Sequence, residues 1–177
     1  RLGLIKVGSP LFVKKSSGLQ DDLSGKEEAV GFIKDSEKFE IVHSLAKWKR
    51  EALGKYKFPL YTGLYTDMKA IRKDEEVDAI HSLYVEQWDW EKIIDISDRT
   101  VDYLKDVVKM IYKSIRQTLI IMRQKYKFLS LSLPKSIYFI TSQELEDLYP
   151  DKTPKIREQL ITKEKKAVFI IGIGDKL

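Results

Sequence analysis

Residues 64–90 constrain the fold more than any other stretch, because they read as two extended runs joined by an acidic loop. Leu64 to Arg72 is the first arm, and His81 to Trp90 is the return arm. Between them, Lys73 to Ile80 carries four acids in KDEEVD. The return arm alternates with the period of a strand: Leu83, Val85, Gln87 and Asp89 share one side, and Ser82, Tyr84, Glu86, Trp88 and Trp90 the other. A face that begins with Leu83 and Val85 and ends in Gln87 and Asp89 is expected where a sheet meets a ligand. Arg72 and His81 add two more polar groups that a plain core would not want.

The flanking segments give an α+β pattern. Short strands are expected at Leu4–Val7, with Leu11–Val13 as an extension, and at Phe39–Val42. Ser44 is a plausible cap for a helix over Leu45–Lys55, with Leu45, Trp48, Ala52 and Leu53 on its buried face. Val101 to Tyr126 has the three-to-four spacing of one apolar helical stripe. Further on, a strand is expected at 137–140, a short helix from Ser142 and a second after Thr153–Pro154, with proline at the first helical position. A wholly apolar strand then runs over 167–173.

With 177 residues the chain is long enough for one domain with a core of its own, and one domain over 1–177 is expected. No apolar run approaches the roughly 20 residues that span a bilayer, so no membrane partner is expected. The absence of cysteine removes disulfides, thiolate metal sites and a thiol nucleophile, and fits a reducing compartment. With two histidines and no thiols, no metal-ligand set is visible. Net charge is +5, from 32 basic and 27 acidic residues, and the segment from Thr100 to Lys127 accounts for all of it with seven bases and two acids. A solvated helix face explains that segment, and nucleic acid is not expected as a partner.

Several residues could carry chemistry, and each has a plainer reading. Gln20–Asp21–Asp22–Leu23–Ser24–Gly25 offers two adjacent carboxylates or simply a turn. His43–Ser44 stands at a helix start, where anions are attracted, or is a structural histidine beside a cap. Lys47, Lys49 and Arg50 follow on the helix and would otherwise be solvated. Arg72 is a fork suited to phosphate oxygens or a surface residue. Trp88 and Trp90 are expected in the core rather than over a ligand.

These stretches resemble the ammonia-dependent asparagine synthetase (aspartate–ammonia ligase) family. His43 to Arg50, HSLAKWKR, matches its motif over eight residues, and Gln87–Trp88–Asp89–Trp90–Glu91 is a second strong match. The loop at 20–25 is similar to its Gln-Asp-Asn-Leu-Ser-Gly, with Asp22 in place of asparagine. MKAIRKDEE resembles the arm and loop known as motif 2, with Lys73 where proline is common. The resemblance implies a class II aminoacyl-tRNA synthetase-like fold: a mixed, mainly antiparallel sheet flanked by helices, here incomplete at both ends. It implies ATP-dependent ligation of ammonia to the side chain of L-aspartate through β-aspartyl-adenylate, giving L-asparagine, AMP and pyrophosphate. Arg72 and Asp21 are then the catalytic residues. Lys49, Gln87, Asp89 and Ser44 bind substrate, and Arg72 and His81 bind ATP. ATP with Mg²⁺, a homodimer and a cytoplasmic setting are also implied. The alternative expectation is a shortened, inactive relative serving as a binding or scaffold protein, possibly with RNA; a synthetase fragment acting on tRNA is a weaker third.

Overall fold

A computed structural model describes residues 2–23, 25, 27–79 and 81–173. Ser24 of the 20–25 loop, Ile80 of the acidic loop and residues 174–177 lie outside the described residues. The chain forms two compact units, Arg1–Asp98 and Arg99–Leu177.

In the first unit, β1 (Leu4–Lys6) lies parallel to β5 (Gly63–Ile71), and β5 pairs antiparallel with β6 (Tyr84–Lys92). The register sets Thr66 opposite Asp89, Met68 opposite Gln87 and Ala70 opposite Val85. One side of β5 is therefore buried at Leu64, Thr66, Met68 and Ala70, while Asp67 and Lys69 on the other side are exposed. This alternation is the pleat at work: polar and apolar residues separate because successive side chains point to opposite faces. Gly63 sits where the sheet is tightest. A Cβ there would collide with the Glu91 carbonyl oxygen and with Leu4.

A second antiparallel sheet has the order β2 (Phe12–Lys14), β4 (Glu37–Ile41), β3 (Gly31–Lys34). Phe12, Phe32 and Phe39 meet across it, with Phe32 and Phe39 stacked at 5.2 Å. Residues 11–13 thus do not extend the first strand: they leave it at Gly8–Pro10 and join the other sheet. Strand β3 was not foreseen from the sequence. Its hairpin turn is Asp35–Ser36, with φ of 50° and 65°. Both central residues take the left-handed conformation that two-residue hairpins favour, but without the glycine that normally announces it.

Helix α1 (Ala46–Lys55) covers the buried side of β5. Val13, Val42, Leu45, Met68 and Ala70 form one core cluster, and Ala52, Leu53 and Leu64 a second; Trp48 packs against both. A Val, Leu or Met side chain contributes about 1.5–3 kcal/mol when fully buried. The return arm begins at Tyr84, three residues later than expected. Trp88 corrects another expectation: it is 84% exposed. Its partner in the ladder is Asp67, on the solvent side of β5, so the pleat carries the ring away from the core.

The second unit contains α2 (Val101–Lys125), β7 (Tyr138–Thr141), α3 (Ser142–Leu148), α4 (Pro154–Lys165) and β8 (Val168–Ile171). β7 and β8 are parallel, and Ile140, Leu145 and Ile161 make the local core. The Thr100 hydroxyl caps α2 by accepting the Tyr103 N–H at 3.2 Å. Thr141 and Glu144 form a reciprocal capping box on α3, and Pro154 opens α4. Of the α2 stripe, Val108 is buried, as is Tyr112 beside it, whereas Ile115 is 51% exposed.

Candidate active site

The site is built on the junction between β4 and α1. The Gln20 side chain donates from Nε2 to the Ile41 carbonyl at 2.8 Å and accepts the His43 N–H at 3.1 Å. One amide thereby supplies both bonds that a neighbouring strand would make, and it fixes the 20–22 loop against the start of the helix. Lys47 closes the loop from the other side, donating to the Gln20 carbonyl at 2.9 Å and reaching Asp22 at 3.2 Å.

Asp21 lies at the N-terminus of α1. Its Oδ2 accepts the Ala46 N–H at 2.9 Å, and the Ser44 hydroxyl oxygen lies 3.3 Å from the same N–H. The N-cap position itself is Leu45, one residue past the expected Ser44. A carboxylate here satisfies an orphan donor and complements the helix dipole. Asp21 thus has a structural task that the sequence did not reveal. It also lines a recess with His43 and Glu40.

Lys49 and Asp89 meet directly. The Lys49 side chain is 1% exposed as a residue, yet its ammonium lies 2.5 Å from Asp89 Oδ1 and 3.9 Å from Glu91 Oε1. An unpaired ammonium at that depth would be prohibitive, so helix position 49 and strand position 89 depend on each other. A ligand carrying both an ammonium and a carboxylate can exchange with such a pair, taking Asp89 for one end and Lys49 for the other. Gln87, two residues along the same face, is exposed and borders an open space with Met68 and Trp88.

Arg72 follows β5 directly, and its N–H still bonds across the ladder to the Leu83 carbonyl at 2.8 Å. Its side chain borders a cavity of about 320 Å³ with His43 and Lys73. The Nε of Arg72 and the Nδ1 of His43 are both buried without a hydrogen-bond partner. His43, which the sequence reads either as part of an anion-attracting helix start or as a structural histidine, is 2% exposed. The eight-residue motif includes it without giving it a role, and what marks it individually is its burial at the cavity that Arg72 also borders. Along β5, Arg72 stands six positions from Thr66, the partner of Asp89, or about 20 Å at the usual rise per residue. The candidate residues therefore share one sheet face but occupy its two ends, separated by the apolar floor of Met68 and Ala70.

The acidic loop is fastened down beside the cavity. Lys73 pairs with Glu28 at 3.0 Å, and the Glu28 N–H donates to Asp74 at 3.2 Å. The Lys73 ammonium holds the Glu28 carboxyl below its usual range, and Glu28 in turn raises Lys73. His81, expected at the nucleotide, bonds within the loop: its Nδ1 and its backbone nitrogen lie 2.9 and 2.8 Å from Asp78 Oδ1. Among the described residues no group of three or more His, Asp or Glu side chains is placed to hold a metal ion.

All of the chain, residues 1–177, matches the aspartate–ammonia ligase family. It is 56% identical over 179 residues to an aspartate–ammonia ligase of Bacillus cytotoxicus, covering 100% of this chain and 55% of that protein. It is 54% identical over 180 residues to an aspartate–ammonia ligase of Clostridium tetani, covering 100% of this chain and 53% of that one. The chain thus spans about half the length of the curated relatives it matches. Among solved structures, Entamoeba histolytica asparaginyl-tRNA synthetase in complex with asparaginyl-adenylate aligns with a TM-score of 0.60 and 12% identity, over 96% of this chain and 38% of that chain. At that identity the likeness concerns the fold, which is α+β and class II aminoacyl-tRNA synthetase-like. Matched from end to end by the family and at more than half of its positions by individual members, the chain belongs to the aspartate–ammonia ligase family.

Proposed function

We propose that the protein makes L-asparagine from L-aspartate and ammonia with ATP, through β-aspartyl-adenylate. The observation that carries this reading is the buried Lys49–Asp89 pair on the face that also presents Gln87 and leads to Arg72. Aspartate replaces the internal pair: its α-ammonium goes to Asp89, its α-carboxylate to Lys49, and Gln87 orients it. The side-chain carboxylate then attacks the α-phosphorus of ATP, and pyrophosphate leaves. Ammonia attacks the acyl carbon, the bond to the phosphoryl oxygen breaks, and AMP departs. No covalent enzyme nucleophile is needed, so the protein's work is positioning and charge stabilisation.

Arg72 faces the α-phosphate. Asp21 and Ser44 fix the start of α1, and Asp21 also faces the reacting side-chain end of aspartate. His81 belongs to the loop that covers the nucleotide, and it contacts ATP once its turn around Asp78 opens. Mg²⁺ enters with the ATP phosphates, which suits an ion that binds through one or two carboxylates and substrate oxygens. Residues 1–177 act within one catalytic domain, in a cytoplasmic homodimer.

The test is aspartate-dependent ATP–pyrophosphate exchange, with asparagine formation from ammonium followed in parallel. Arg72→Ala is expected to slow exchange by about 100-fold or more. Exchange at the wild-type rate in that variant would remove Arg72 from the assignment. No exchange from folded wild-type protein would remove the ligase and leave a scaffold role.

A further inference from the structure

We propose that His43 is a ligand-contacting residue, and that its Nδ1 and the Nε of Arg72 hold oxygens of one bound phosphoryl ester. The inference rests on the ligase reading and adds to it a contact that the motif resemblance did not assign.

Among the described residues, three buried side-chain polar atoms lack a hydrogen-bond partner: Glu37 Oε2, His43 Nδ1 and Arg72 Nε. Glu37 Oε2 lies 3.1 Å from the Lys14 ammonium, so it is served by an ion pair. The two nitrogens remain, and their side chains border the same cavity. Each such atom costs about 1–3 kcal/mol when left unsatisfied, which makes two at one cavity a site awaiting acceptors. The cavity of about 320 Å³ is far larger than a single water requires.

The chemistry of the two groups narrows the ligand. A guanidinium Nε–H is always a donor, so the atom it meets is an acceptor. Imidazole Nδ1 donates to a second oxygen when it carries the proton. Both backbones are fixed, His43 by Gln20 and Arg72 by the Leu83 carbonyl, so a ligand can meet the two side chains without moving the main chain. Glu27, Asp74 and Glu75 border the cavity together with Arg72 and Lys73. Three acids against two bases leave the lining net negative, which disfavours a free, multiply charged phosphate and suits phosphates whose charge Mg²⁺ already offsets.

Three variants of the full-length protein test this. His43→Asn places an amide nitrogen near the position of Nδ1, His43→Gln places one near Nε2, and His43→Ala removes both. The backbone bond to Gln20 survives in all three, and thermal melting confirms folding. Expected is a loss of about 100-fold in aspartate-dependent ATP–pyrophosphate exchange for the Ala and Gln variants, with KM for aspartate little changed and most activity kept by Asn. The ¹⁵N resonance of Nδ1 should also move when ATP and Mg²⁺ are added. Wild-type exchange in the Ala and Gln variants, equal loss in all three, or a loss seen in the aspartate KM alone would overturn the proposal. If wild-type protein shows no exchange, the ligase reading fails separately, and the Nδ1 response to ATP and Mg²⁺ alone decides this contact.

Discussion

The two units bury different kinds of residue. Every buried polar or charged residue among the described ones lies in the first: Gln20, Glu40, His43, Lys49 and Thr66. In the second unit the buried residues are Val108, Tyr112, Ile140, Leu145 and Ile161, a core of apolar and aromatic side chains. Tyr112 is accommodated there by donating its hydroxyl to the Pro134 carbonyl at 2.8 Å. Burying an ammonium and an imidazole lowers stability unless each finds a partner, whereas burying isoleucine raises it directly. The first unit therefore carries interactions that the rules of folding alone would not select. That difference points to where the chemistry sits, before any motif is considered.

The contrast can be broken first at Lys49 and Asp89. Asp89→Leu leaves a buried ammonium without its closest partner and is expected to destabilise the protein by about 3 kcal/mol in urea denaturation. Adding Lys49→Met should recover most of that loss, because two apolar residues replace two charges, while aspartate binding by calorimetry stays absent in both variants. A cost well under 1 kcal/mol for Asp89→Leu would show that Glu91, at 3.9 Å, takes over the pair.

A smaller effect is expected in the second unit. Thr141 caps α3 by accepting the Glu144 N–H at 3.1 Å, and Glu144 returns a bond to the Thr141 N–H at 2.7 Å. Thr141→Ala should cost about 1 kcal/mol of stability. It should leave ATP–pyrophosphate exchange per folded molecule unchanged, and a loss of exchange beyond the loss of folded protein would blur the contrast.

The smallest effect belongs to the exposed Lys73–Glu28 strap. Glu28 is held below its ordinary 4.5 and Lys73 above its ordinary 10.5, in each case first by their mutual hydrogen bond. The strap contributes fully between those ordinary values. It is lost as pH falls through the lowered Glu28 value, or rises through the raised Lys73 value. In an NMR titration, Lys73→Met should return the Glu28 carboxyl towards 4.5, and added salt should do so in part.

Much of this was legible in the sequence because it depends on local periodicity and short motifs. The period of two in 83–89 placed Gln87 and Asp89 on one face, and the register confirms that they share it with Thr66 and Met68. Thr153–Pro154 opens α4 as the chain order required, because proline favours the first helical turn and its missing N–H costs nothing there. What was not legible depended on partners distant in sequence or on a turn that lacks its usual residue. Trp88 reads as core by composition, yet its ladder neighbour is Asp67 on the outer face. Asp35–Ser36 hides a hairpin because neither residue is glycine.

The sequence by itself determined the family, the strand and helix periods, and the residue types that can bind an amino acid and a phosphate. Only the tertiary structure decided which of them meet. It set Lys49 on Asp89, Asp21 on the first turn of α1, His81 on Asp78, and His43 beside Arg72. The physical reason is that hydrogen bonds and ion pairs act over a few ångströms, whereas all of these partners except His81 and Asp78 stand 25 to 40 positions apart in the chain. Spacing along a strand or helix can place a side chain on a face, but the fold must bring the opposing face to it.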